Sequence, residues 1–405
     1  MAEQDRYDYA IIGAGVAAAS AAAAIREKDA DGSIAIIGRE PDGPVYRPAL
    51  SKDLWVDGEA SLEDNWLLDD GIGAVFLPSI SVTAIDTAAH ALTLSDASQV
   101  GYSRLLIATG AEPRTIDLPD SARVVYYRTA QDYRRLREFA KPGSSAVVVG
   151  GGYIGSELAA ALSLNDVAVT LIVPGKQVLQ QMFPTIVLDE IERALREHGV
   201  TLVTGARVTG GAVHGDSVTV TTEAGESYSG DVVVAGLGVV PNDQVTRQAG
   251  LEVGNGIVVD ERLATSAPDV WAAGDVASYP DALLGVRRVE HVDNAEHQGT
   301  TAGHNMAAAA AGKDEETYTY TPIFWSDIYD FGYEAVGTLD ASLEMVEDFT
   351  SDHSAGVVYY VDGGHVRGVL LWNVWDSTPK AKEVIEQSAQ ETLSAEQLKG
   401  RIPLS

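Results

Sequence analysis

One short pattern occurs twice in this chain of 405 residues, and it limits the fold more than any other feature. The apolar run Tyr9-Ala10-Ile11-Ile12 leads into Gly13-Ala14-Gly15-Val16-Ala17-Ala18 and then an alanine-rich stretch reaching Glu27. Much later, Ala146-Val147-Val148-Val149 leads into Gly150-Gly151-Gly152-Tyr153-Ile154-Gly155 and an apolar stretch to about Leu164. Both read as strand, glycine turn and helix. A second strand-like run follows each, Ser33 to Ile37 and Ala168 to Val173. Two βαβ units predict two α/β domains of the Rossmann type, each with a parallel sheet.

The spacing within each turn has a physical meaning. In Gly13-x-Gly15-x-x-Ala18 the first glycine permits the tight turn, the second lets a pyrophosphate approach the backbone, and the small third residue lets helix and strand pack closely. The pyrophosphate then rests on free N–H groups at the helix N-terminus. Glu40, just past the second strand, stands where an acid bonds a ribose hydroxyl. Gly150, Gly152 and Gly155 repeat the pattern, with Tyr153 and Ile154 opening the helix. Here the ribose acid is missing: after Asp166 the next acid is Asp189, and the second strand ends in Val173-Pro174-Gly175-Lys176. Lys176 is either a partner for a 2′-phosphate or an ordinary turn residue, so NADH and NADPH both stay open. Two more elements suit a flavin. Thr109-Gly110 closes a strand-like run, and Asp275 follows the short run Val270-Trp271-Ala272, where its carboxylate can accept ribityl hydroxyls.

Composition narrows the chemistry. The chain has no cysteine, which excludes disulfides, thiolate metal sites and thiol catalysis. No metal is expected, and redox chemistry falls to bound cofactors: FAD held firmly and NADH or NADPH exchanging. A net charge of −31 argues against nucleic-acid and anionic-membrane partners. No apolar run reaches the roughly 20 residues of a membrane span. The acidic stretch Met1 to Tyr9 has no signal-peptide pattern, so a cytoplasmic location is expected.

Further blocks give the chain a resemblance. Tyr46-Arg47-Pro48-Ala49-Leu50-Ser51-Lys52-Asp53-Leu54-Trp55, Arg288-Val289-Glu290-His291, Phe324-Trp325-Ser326-Asp327, Gly332-Tyr333-Glu334-Ala335-Val336-Gly337 and Leu371-Trp372-Asn373 carry it. On these the chain resembles the two-dinucleotide-domain flavoproteins. Within them it is similar to the ferredoxin reductases of oxygenase systems and, more closely, to apoptosis-inducing factor. The resemblance implies that Arg47 and Lys52 face the flavin and that Lys52 pairs with Glu157 beside the reactive N5 edge. It implies that Arg114 contacts FAD, that Glu290 and His291 lie near flavin and nicotinamide, that Trp325 stands against the isoalloxazine, and that Gly238 lies under the nicotinamide. Lys52, Glu157, Trp325 and His291 are thus the candidate catalytic residues. The long C-terminal insertion of animal apoptosis-inducing factors is absent between Ser342 and Val357, so cell-death and DNA-binding roles are not carried over.

The expected architecture is a split FAD domain at 1–116 and 243–316, an inserted NAD(P) domain at 117–242, and a C-terminal α+β domain at 317–405 for dimerisation or an interface. Tyr-, Val- and Thr-rich segments after about Lys313, with a hairpin signal at Asp362-Gly363-Gly364, predict an antiparallel sheet in that last part. The expected activity is hydride transfer from the nicotinamide to the flavin, with backbone N–H groups near Asp293–Thr300 stabilising charge on the reduced ring. Electrons then pass to an external acceptor. Three acceptors stay open: a ferredoxin-type protein, a slow redox-sensing partner as in apoptosis-inducing factor, or a small molecule such as quinone or oxygen. A homodimer is also open. Docking an acidic ferredoxin needs a basic patch, for which Arg134, Arg135, Arg137, Arg287 and Arg288 are candidates.

Overall fold

The computed structural model describes residues 6–404; Met1–Asp5, part of the acidic N-terminal stretch, lie outside the described residues. The chain divides into two compact units. The first takes residues up to Tyr46, Leu62–Glu112 and Val240–Pro322; the second takes Arg47–Ser61, Pro113–Val239 and Ile323–Ser405. The segment 47–61 therefore groups with the second fingerprint, and the C-terminal segment joins the same unit. No local sequence signal marks that grouping.

The first unit is built on a sheet whose parallel part runs Val75–Leu77, Ile34–Ile37, Arg6–Ile12, Gln99–Ile107 and Val270–Ala272. The antiparallel strands Val82–Asp86 and Ala91–Leu94 extend it. Ile11, Ile12, Ile34, Ile36, Leu105 and Leu106 are buried, as expected of strands covered on both faces. The fingerprint helix Val16–Lys28 lies against the helix Val292–Ala310. That approach depends on small residues. A Cβ on Gly299 would stand 2.4 Å from the Ala17 carbonyl oxygen, and one on Gly303 would stand 2.4 Å from that of Ala21.

The second unit repeats the plan. Its parallel sheet runs Thr201–Val203, Ala168–Ile172, Ser145–Val149, Val232–Ala235 and Val124–Tyr126. The helix Tyr153–Leu164 packs on it. The C-terminal part is the expected antiparallel sheet, in the order Ile323–Ile328, Phe331–Gly337, His365–Trp372, Gly356–Asp362 and Glu344–Phe349, covered by the helix Thr378–Gln390. Asp362 pairs with His365 across Gly363 and Gly364, whose φ values of 56° and 85° make the two-residue hairpin foreseen there. Among the described residues no helix is long and apolar enough to cross a membrane.

Candidate active site

The first fingerprint can be tested against what its backbone leaves open. Gly13 has φ +109°, and a Cβ on it would stand 2.1 Å from the Ala108 carbonyl oxygen. Glycine is therefore required, because the end of the strand Gln99–Ile107 closes onto the turn. Gly15 caps the helix Val16–Lys28, and a Cβ on it would meet nothing within 4 Å. No side chain caps this helix, and its first turn holds no acid. The start of the helix thus has no side-chain acceptor and open space beside Gly15, which is what an entering phosphate needs. Ala18 is fully buried, so its small size serves packing.

Other candidates gather at the same end of this unit. The register pairs Ile12 with Ile37, so Glu40 follows at the C-terminal end of the sheet. Thr109 and Gly110 are joined to Asn242, a residue the sequence reading missed. Thr109 Oγ1 donates to the Asn242 carbonyl at 2.8 Å, Asn242 Nδ2 donates to the Thr109 carbonyl at 2.9 Å, and Asn242 N donates to the Gly110 carbonyl at 2.9 Å. Asp275 lies in the turn Gly274–Val276, and the Arg288 guanidinium donates to its carbonyl at 2.9 Å. Arg288 also pairs with Glu290 at 2.7 Å. His291 caps the helix Val292–Ala310, its Nδ1 accepting from Asp293 N at 3.3 Å. Gln298 is fully buried; its Oε1 accepts from Gly274 N at 2.9 Å, while Nε2 has no partner. A buried amide left unsatisfied beside Gly274, an uncapped helix and an open Gly15 together fit a large polar ligand such as FAD.

The second fingerprint has the same mechanics. Gly150 has φ +115°, and its Cβ would stand 2.2 Å from the Gly236 carbonyl oxygen; that of Gly155 would stand 1.9 Å from the Gly150 carbonyl oxygen. Gly152 caps the helix Tyr153–Leu164 with nothing within 4 Å of a Cβ, no side-chain cap and no acid in the first turn. Ile154 stays partly exposed beside it. Tyr153 stacks on Tyr333 with centroids 6.4 Å apart, and burial pushes its hydroxyl up to about 12. Gly238, φ +78°, accepts from Arg114 N at 2.9 Å, which makes neighbours of two residues the sequence assigned to different cofactors.

The second unit also brings Lys52 to Glu157. A short 3-10 turn, Arg47–Ser51, delivers Lys52, and Glu157 lies on the second fingerprint helix. Lys52 Nζ is 3.1 Å from Glu157 Oε1, with side-chain exposures of 16% and 7%. Two serines complete the carboxylate's shell. Ser51 donates to Oε2 at 2.6 Å and Ser326 to Oε1 at 2.5 Å, while Lys52 Nζ donates to Ser326 Oγ at 3.0 Å. Burial pushes the neighbouring Asp327 carboxyl up against the pull of Lys52, and the charges of Glu157 and Asp53 add to the rise. Neither serine was singled out as a site residue, because hydroxyls carry no charge signal in a sequence. Trp325 precedes Ser326 in the strand Ile323–Ile328, so strand alternation turns it to the opposite face from this cluster. Arg47 donates to the Arg128 carbonyl at 2.6 Å.

The arginine patch is reduced. Arg137 stands 4.2 Å over the Trp55 ring and donates to the Leu54 carbonyl, Arg288 is engaged as above, and Arg287 lies 4.0 Å from buried Asp281. Arg134 and Arg135 remain exposed on the helix Ala130–Phe139.

Comparison with known proteins agrees with this geometry. A family model described as "Pyridine nucleotide-disulphide oxidoreductase" matches residues 7–299. The chain belongs to that family. It is similar to the anthranilate 1,2-dioxygenase system ferredoxin–NAD(+) reductase component of Burkholderia cepacia, with 38% identity over 84% of each chain. It is 32% identical to the mitochondrial apoptosis-inducing factor 1 of Dictyostelium discoideum, over 94% of this chain and 78% of that one. Among solved structures, a covalent putidaredoxin reductase–putidaredoxin complex matches with TM-score 0.83 and 30% identity, over 96% of this chain and 93% of that one. This family member is an FAD-dependent NAD(P)H oxidoreductase. The disulphide of the family name has no counterpart here, since the chain has no cysteine.

Proposed function

We propose that this chain passes electrons from NAD(P)H, by way of FAD, to an iron–sulfur protein of the ferredoxin type. The observation that carries the reading is a match along most of the chain to ferredoxin–NAD(+) reductases in a chain with no cysteine to relay electrons. Gly13, Gly15, Ala18, Glu40, Thr109, Gly110 and Asp275 are assigned to FAD, and the resemblance adds Arg47, Lys52, Arg114, Glu290, His291 and Trp325. Gly150, Gly152, Tyr153, Ile154, Gly155, Glu157, Lys176, Gly238 and Glu290 are assigned to the nicotinamide coenzyme. Residues 1–116 and 243–316 serve FAD, 117–242 serve NAD(P), and 317–405 serve an acceptor or dimer interface. When bound, FAD supplies a centre that takes a hydride and gives electrons up singly. The protein's part is positioning: Glu157 fixes the Lys52 ammonium, and Ser51 and Ser326 fix Glu157. A cytoplasmic location fits the acidic composition.

The test is anaerobic reduction with NADH and NADPH watched by absorbance, followed by turnover with a ferredoxin. Rapid bleaching and fast ferredoxin reduction support the proposal. Protein that takes up no FAD, or reduced protein that does not reduce any ferredoxin tried, overturns it. The match to the Dictyostelium protein favours a second reading, a slow NADH-responsive redox protein. A long-lived charge-transfer band with a change of mass on sizing would select it.

A further inference from the structure

The loop after the second strand of the second unit lies directly on the fingerprint turn. Gly150 N donates to the Ile172 carbonyl at 2.9 Å, and Leu179 N donates to the Gly151 carbonyl at 2.8 Å. A Cβ on Gly151 would stand 2.6 Å from Val173 Cγ1. Residues 173–179 are thus held at the sheet end where the uncapped helix begins. In this fold that loop meets the adenosine ribose.

The acids that follow it in sequence are all bonded, two of them to the loop itself. No Asp or Glu occurs from Val173 to Leu188. Asp189 accepts from Gln177 Nε2 at 2.8 Å, and Glu190 pairs with Arg193. Glu192 is 6% exposed and turned inward, accepting from Val178 N at 3.1 Å and pairing with Arg196 at 2.9 Å. Gln180 Oε1 accepts from the N–H groups of Lys176 and Gln177 at 2.8 and 3.2 Å. Its amide carbon would lie 2.7 Å from a Cβ on Gly175, so it fills the room a side chain at 175 would use. Lys176 is exposed, and its ammonium has no hydrogen bond or ion pair among the described residues.

We infer that this loop selects a coenzyme carrying a 2′-phosphate, NADPH, with Lys176 as the specificity-determining residue that holds the phosphate. The loop itself holds no carboxylate to accept a ribose 2′-hydroxyl or to repel a phosphate, and the ammonium of Lys176 stands there unengaged. The inference rests on reading the second fingerprint as the nicotinamide site. It gives this chain a preference different from relatives whose names specify NAD(+).

The test uses the holoprotein and two fragments that cannot be oxidised or reduced at the flavin, 2′,5′-ADP and 5′-AMP, titrated by calorimetry. Wild type should bind 2′,5′-ADP about tenfold tighter than 5′-AMP, the value of one charge-assisted contact. The ratio should fall to about 1 in Lys176→Gln, below 1 in Lys176→Glu, and shrink with added salt. A wild-type ratio at or below 1, or a ratio untouched by Lys176→Gln, overturns the inference while leaving the nucleotide site intact. If neither fragment binds, the reading of the second fingerprint fails, and the inference with it.

Discussion

Replacing Lys52 by Met and Glu157 by Gln, singly and together, measures how strongly the buried pair is coupled. At 3.1 Å, an effective dielectric of about 20 gives a Coulomb attraction of about 5 kcal/mol before desolvation. Desolvation removes part of this, and truncating one partner of a buried pair costs roughly 3–5 kcal/mol. Lys52→Met should fall at the low end, about 3 kcal/mol, because Ser51 and Ser326 still donate to the stranded carboxylate. Glu157→Gln should cost about the same, since Lys52 loses its counter-charge and keeps only neutral oxygens, the Ser326 hydroxyl and the new amide carbonyl, as acceptors. The double variant leaves no buried charge at the pair, so it should cost about 2 kcal/mol less than the sum of the singles. Urea unfolding of all four proteins gives the coupling directly. Costs that add to within about 0.5 kcal/mol would refute the claim that this is one buried unit. The reduction rate adds a functional reading: in Lys52→Met it should drop markedly while secondary structure persists.

Three other outcomes follow from the geometry. Gly13→Ala should cost more than about 3 kcal/mol or prevent folding, as its Cβ meets a carbonyl oxygen at 2.1 Å in a left-handed turn, whereas Gly15→Val should fold and lose flavin; thermal melts and the flavin content of purified protein separate the two. Ser145 N and Oγ donate to Asp231 at 2.7 and 2.8 Å and hold its carboxyl below the usual range. A lowered folded value means stability that is present above the ordinary carboxylate range and lost as pH falls through the folded value. Asp231→Asn should therefore cost about 1 kcal/mol at neutral pH, with the gap to wild type closing below about pH 4 in denaturant melts. Asn242→Ala should loosen the Thr109–Gly110 segment and weaken FAD retention by about tenfold, read as flavin released on dilution, with the helix signal unchanged.

Much of the first layer was legible in order along the chain. The two fingerprints, their strands and the C-terminal hairpin lie where local pattern put them, because a glycine turn between a β-branched run and a helical run leaves little choice of geometry. Other parts were hidden for identifiable reasons. Ser326 is 275 residues from Ser51, yet both bond one carboxylate, and nothing in either hydroxyl announces that. Asn242 sits in an ordinary-looking Pro-Asn-Asp turn. The basic patch is reduced, because the fold draws Arg137, Arg288 and Arg287 onto Trp55, Asp275 and Asp281 and leaves Arg134 and Arg135 exposed.

The sequence by itself determined two dinucleotide-binding folds, the cysteine-free redox chemistry and the missing ribose acid, since each is a matter of residue type or short spacing. Only the tertiary structure decided that residues 47–61 and 323–405 join the second fingerprint's unit. It alone showed that Glu157 is held by two serines as well as Lys52, and that Asp189, Glu190 and Glu192 are all bonded. The physical reason is common to these cases. Whether a charge is paired, and by what, depends on contacts between distant segments, and the chain carries no local record of them.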